Sequence, residues 1–215
     1  MNENLSQIQY DVTKKHKIIQ FYEKNKILIY SAIAIIVISF ASINFYLSSK
    51  EEKNILIAEN YINAKIQIQN ENKVEAIKIL KEIIYLDDST YSTLSLFLLL
   101  SENLISDNQE ILSLFDHVLH NNKYKKEIKN SIIFKKVLFQ TNSENEQELL
   151  SSIKPLINSD SIWKPHTLLL VGDYFFSRNE YLKAKEFYVK ILNIKNLQNE
   201  LYEQARSRLA FIPND

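Results

Sequence analysis

From residue 27 to residue 47 the chain reads ILIYSAIAIIVISFASINFYL, with no charged residue, glycine or proline; from residue 55 onward, apolar positions recur instead at steps of three and four. The two patterns predict two kinds of helix. At a rise of about 1.5 Å per residue, the first stretch reaches roughly 31 Å, close to the hydrocarbon thickness of a bilayer. Twelve of its 21 residues are Ile, Leu, Val or Phe. Each favours insertion by about 0.3–0.6 kcal/mol, so the stretch is expected to be a transmembrane helix. A buried helix of a soluble core usually keeps a polar face, and this stretch has none. A cleaved signal peptide would have a shorter apolar region and a small-x-small exit, whereas this exit reads Phe45-Tyr46-Leu47-Ser48-Ser49. An uncleaved anchor is expected, with Tyr30 and Tyr46 near its two interfaces.

The remaining pattern is a succession of helical hairpins. Ile57, Tyr61, Ala64 and Ile68 form one stripe, the polar stretch Gln69 to Lys73 interrupts it, and Ala76, Leu80 and Ile83 resume it. Asp87-Asp88 ends that pair, and Ser89 or Thr90 is placed to cap the next helix. A second pair follows through Tyr91, Leu94 and Leu98, a break at Ser106-Asp107-Asn108, and Leu112, Phe115 and Leu119. A third carries Ile133, Phe134, Val137 and Leu138, breaks at Thr141-Asn142-Ser143, and returns as Leu149, Ile153 and Leu156. Pro155 should kink or shorten its second helix.

In the fourth pair, Leu168-x2-Val171-Gly172-x2-Phe175 followed by Ala184-x3-Tyr188 reproduces the tetratricopeptide spacing W-x2-L-G-x2-Y then A-x3-F, with Asn196 where that pattern has proline. Gly172 and Ala184 are the small residues at which two helices approach closely, and Asn179 occupies the turn. Markers of the second helices recur at Ala76, Leu112, Leu149 and Ala184, in steps of 36, 37 and 35. Such a period is the signature of stacked helical hairpins. Leu201, Tyr202, Ala205, Leu209 and Ile212 define a last helix able to cap the stack, with Glu203, Arg206 and Arg208 outside. The expected fold is all-α: a head (1–26), a transmembrane helix (27–47), a linker (48–54) and a tetratricopeptide-like α-solenoid of about four hairpins plus a capping helix (55–215).

Charge adds orientation. Five lysines (Lys14, Lys15, Lys17, Lys24, Lys26) lie in the twenty residues before the apolar stretch, against three (Lys50, Lys53, Lys65) in the twenty after it. The bias favours a cytoplasmic N-terminus and a translocated C-terminal part. The head's Ile8, Val12, Ile18, Ile19, Phe21 and Tyr22 suit either an amphipathic segment on the membrane or a disordered one. Formal net charge is zero, five lysines against three acids before residue 27 and 21 basic against 23 acidic after it. That balance gives no footprint for nucleic acid.

Candidate chemistry is sparse. With no cysteine there are no disulfides or thiolate sites, and with one glycine there are no phosphate-cradling loops. His117 and His120, at i and i+3 beside Asp116, offer two metal ligands without a third at diagnostic spacing, so a solvated helix end is the simpler reading. Asp87-Asp88 and Glu51-Glu52 read as a turn and a membrane-exit cluster rather than paired catalytic carboxylates. No catalytic motif, cofactor site or small-molecule site is expected. Trp163, before Pro165, is a candidate partner contact or a residue packed under the last repeat; Tyr174, with Phe175 and Phe176, is divided between the same two uses.

Taken together, the short head, the anchor, the degenerate hairpins, Ile153-Lys154-Pro155-Leu156 followed by Trp163, and the ending Gln204-Ala205-Arg206-Ser207-Arg208-Leu209-Ala210 resemble the bacterial ancillary SecYEG translocon subunit family, called YfgM-like. The likeness covers roughly residues 20 to 212, and this chain departs from it at Asn60 and Asn63, where large apolar residues are usual. The resemblance implies an inner-membrane protein with periplasmic repeats, associated with the Sec translocon and with periplasmic chaperones that receive client polypeptides. A scaffold of the same build serving another cell-envelope or cytochrome assembly process is the alternative.

Overall fold

A computed structural model describes residues 3–142 and 145–213, with side chains from residue 19 onward except at Ile29. Ser143 of the third expected break, and the side chains of Ile8, Val12, Ile18, Lys14, Lys15 and Lys17, lie outside the described residues. Among the described residues there are nine helices and no strand: α1 (Glu3–Gln69), α2 (Lys73–Ile84), α3 (Tyr91–Ser101), α4 (Asn108–Asn121), α5 (Lys126–Gln140), α6 (Glu146–Ile157), α7 (Lys164–Ser177), α8 (Tyr181–Leu192) and α9 (Asn199–Ala210). The chain is all-helical. It divides into two compact units, Met1–Ile57 and Ala58–Asp215.

Among the described residues α1 is the helix long and apolar enough to cross a membrane, and no residue of its most apolar 18-residue stretch is buried. Residues 48–54, expected as a linker, are helical and exposed. Three of the polar side chains within the apolar stretch turn back on its own backbone. Ser31 Oγ donates to the Leu28 carbonyl (2.8 Å), Ser39 Oγ to that of Ile35 (2.8 Å) and Asn44 Nδ2 to that of Phe40 (3.1 Å). This is the satisfaction that a solvent without hydrogen-bonding groups requires. Tyr22 and Tyr30 join their hydroxyls, with the rings edge to face.

In the second unit, each helix from α2 on packs mainly against its neighbours in sequence, and α7 also touches α5 and α9. Hairpin turns are made without glycine. Glu71, Asn103 and Asn179 take positive φ (62°, 48° and 62°). In each case the next N–H reaches back five residues: Asn72 to Gln67 (2.9 Å), Leu104 to Leu99 (3.0 Å) and Glu180 to Phe175 (3.0 Å). That closure normally uses glycine at the left-handed position, with asparagine the next choice. Glutamate lacks the short side chain that makes asparagine tolerable there. Glu71→Gly is therefore expected to raise stability by up to about 1 kcal/mol, the relieved backbone strain exceeding the added freedom of the unfolded chain. Chemical denaturation of the two proteins checks this.

Several local expectations are corrected. Thr90 stands at the N-cap position of α3 as expected, but its side chain makes no capping hydrogen bond; Asp88 Oδ1 instead accepts from the N–H groups of Thr90 (3.0 Å) and Tyr91 (2.8 Å). The buried face of α3 is Ser92, Ser95, Leu96 and Leu99, not Tyr91, Leu94 and Leu98. Serines sit inside because their small side chains let α2 approach; Ser92 Oγ donates to the carbonyls of Ile83 and Ile84 (3.2 and 3.0 Å). On α5 the buried positions are Asn130, Ile132, Ile133, Val137 and Gln140, leaving Phe134 half-buried and Leu138 outside. α6 runs two residues beyond Pro155 and ends at Ile157, with Leu149, Ile153 and Leu156 buried as the stripe predicts.

Candidate functional site

The α7–α8 hairpin holds the six repeat-defining positions. Leu168, Val171, Phe175, Ala184 and Tyr188 are buried, and Gly172 faces the Tyr188 ring across the helix pair. A Cβ on Gly172 would lie 2.4 Å from Tyr188 Cε1 and 2.8 Å from Cδ1, well inside van der Waals contact. The ring is held at its far end. Tyr188 Oη donates to Asp173 Oδ1 (2.7 Å), which also accepts from Arg208 Nε of α9 (2.9 Å). One carboxylate thus ties three successive helices. Phe187 stacks on Phe175 with centroids 5.6 Å apart.

Burial, then the hydrogen bond to Asp173, pushes the Tyr188 hydroxyl far above its ordinary value of 10.0. The folded protein keeps this proton while the unfolded chain releases it above about pH 10. The associated stability is complete below that pH and falls as pH rises past it, by at most about 1.4 kcal/mol per pH unit. Tyr61 and Tyr124, both raised first by burial, add to the same loss. Denaturation measured from pH 8 to pH 11.5 should give a shallower alkaline decline for Tyr188→Phe than for the wild type.

Trp163 lies half-buried before α7, stacked on Phe134 with centroids 5.0 Å apart. Its backbone N–H donates to Ser161 Oγ (3.2 Å); that hydroxyl accepts from Asn130 Nδ2 (3.0 Å) and donates to Glu127 Oε2 (2.8 Å). One wall of the indole borders a cavity of about 430 Å³, lined also by Ile162, Pro165, His166, Leu197 and Leu201. The ring therefore packs and faces open space at once. Tyr174 is only 6% exposed, set edge-on to Phe175, with Arg178 over its ring; its hydroxyl has no hydrogen-bond partner among the described residues.

His117 Nε2 lies 2.8 Å from Asp87 Oδ1, with the Tyr85 ring edge-on and Asn121 beside it. His120 is exposed. No group of three His, Cys, Asp or Glu suited to a metal ion occurs among the described residues.

A larger cavity, about 800 Å³, opens between the end of α3, the loop after it, and the end of α5. Leu94, Phe97, Leu98, Leu138 and Phe139 form its apolar wall, with Tyr61 of α1 at the edge. Leu94 and Leu98 are the α3 stripe that sequence periodicity places in the core. The signal for the true face is the serine pair at i and i+3, Ser92 and Ser95, extended by Leu96 and Leu99. Searches of family models, of curated proteins and of solved structures return no match for this chain.

Proposed function

We propose that this protein is a membrane-tethered protein-interaction module. Residues 27–47 anchor it in a bacterial inner membrane, the N-terminus stays cytoplasmic, and residues 55–215 form a tetratricopeptide-like solenoid of helical hairpins in the periplasm. Its partners are macromolecules: the Sec translocon, and the periplasmic chaperones or client polypeptides at its exit. The observation carrying this reading is the pairing of an uncovered apolar helix with an array whose α7–α8 hairpin has the tetratricopeptide spacing and its glycine-to-ring contact. Repeat arrays of this build present surfaces rather than reaction centres.

Photocrosslinking from exposed positions of the α7–α8 hairpin such as Arg178, just after α7, and Leu182 of α8, in intact cells, is expected to capture translocon or chaperone subunits. Capture only of envelope or cytochrome assembly factors would reassign the partner and keep the tether. A hydrolase or transferase activity of the purified protein, abolished by one polar substitution, would overturn the reading.

A further inference from the structure

The geometry points to the α3–α5 groove as the docking site for an extended segment of another polypeptide, one that carries large apolar side chains and a carboxylate in register with Lys135. This deepens the interaction-module reading and rests on it. Three observations carry the inference.

The first is the wall itself. Leu94 and Leu138 are 41% and 42% exposed, and with Phe97, Leu98 and Phe139 they border one continuous space. An apolar surface of this kind, rimmed by polar groups, marks an interaction site in a soluble domain.

The second is the polar rim. Asn103, Asn108 and Asn142 all line the groove, and none of their side chains hydrogen-bonds to another described residue. A carboxamide offers a donor and an acceptor together, which matches the alternating N–H and C=O groups of extended backbone. A lipid tail or detergent chain has no use for them. A folded helix, its backbone groups already paired, has little more. The chemistry thus selects a strand-like peptide whose side chains alternate between the apolar wall and solvent.

The third is charge. Among the described residues Lys135 is the one charged residue lining the groove; it is exposed and makes no ion pair with them. An acidic group in the occupant gives it a partner, and a basic one repels it.

The test uses the full chain in lipid nanodiscs and a fluorescein-labelled peptide of alternating leucine and serine with one central glutamate, read by anisotropy. Saturable binding to the wild type is expected. The Leu94→Asp/Leu138→Asp variant, altered at exposed positions so that the core is untouched, should weaken it about tenfold or more, the scale of an apolar anchor. Lys135→Glu should weaken binding about three- to fivefold, the range of an exposed ion pair. A peptide with lysine in place of the glutamate should recover affinity for Lys135→Glu alone. Circular dichroism melts confirm that the variants are folded.

Equal binding by the wild type and the Leu94→Asp/Leu138→Asp variant overturns the site. Absence of peptide binding, while crosslinks from α7 and α8 still capture proteins, overturns the site and leaves the interaction-module reading standing. Absence of both removes the two together. A homodimer in sedimentation that the Leu94→Asp/Leu138→Asp variant dissociates would assign the groove to a second copy of the chain and overturn the peptide proposal.

Discussion

Gly172→Ala is expected to lower the stability of the protein by about 2–3 kcal/mol, the effect of forcing a methyl group into a filled interior. Helix propensity alone points the other way. Alanine is the better helix former by about 1 kcal/mol, so an open site would gain from the change. Geometry decides between them, because the new methyl would meet Tyr188 Cε1 at 2.4 Å. Nor is the ring free to swing aside, since its hydroxyl is fixed on Asp173, which Arg208 also holds. Relief therefore requires α7 and α8 to separate or the Tyr188–Asp173 hydrogen bond to break. Urea denaturation of the wild type and variant reads the sign directly. A rise in midpoint would show that the ring yields, and the close helix contact would lose its explanation. Combining Gly172→Ala with Tyr188→Leu should restore part of the loss, because neighbours that share a contact do not add.

Substituting arginine at both Ile36 and Phe40 is expected to abolish membrane insertion. The apolar stretch favours the bilayer by several kcal/mol, and two central arginines oppose it by about 6 kcal/mol in total. Both positions are exposed, so the change bears on the helix surface rather than on a packed interior. Alkaline phosphatase fused after Asp215 reports insertion and orientation together. The wild-type fusion should be active and should remain in the membrane pellet after carbonate extraction. The doubly substituted fusion should be inactive and leave that pellet. An inactive wild-type fusion that stays membrane-bound would reverse the orientation, and a freely soluble wild type would remove the anchor.

The α7–α8 hairpin was legible in the sequence because a lone glycine, an alanine and two aromatic residues can satisfy its spacing in one register. Leu149, Ile153 and Leu156 of α6 were legible because charged residues flank them on the other faces. α3 was not. Its Leu94, Leu96, Phe97, Leu98, Leu99 and Leu100 go all round the helix, so period alone cannot pick the inner face. The choice falls to the serines, whose size admits α2, and that is a property of packing rather than of hydropathy. The groove was hidden for the same reason. An apolar residue in a periodic stripe reads as core whether or not another helix arrives to cover it. Turn chemistry lay between these cases: Asn179 was anticipated at its turn, whereas Glu71 in the left-handed region breaks the usual residue preference.

In the second unit α7 reaches past its neighbours in sequence to α5 and α9, its next-but-one helices. Tension applied along such a molecule is resisted mainly by contacts between successive helices. It should open as a zip does, tooth by tooth, with amide protons released hairpin after hairpin and the closure at Asp173 among the last to part.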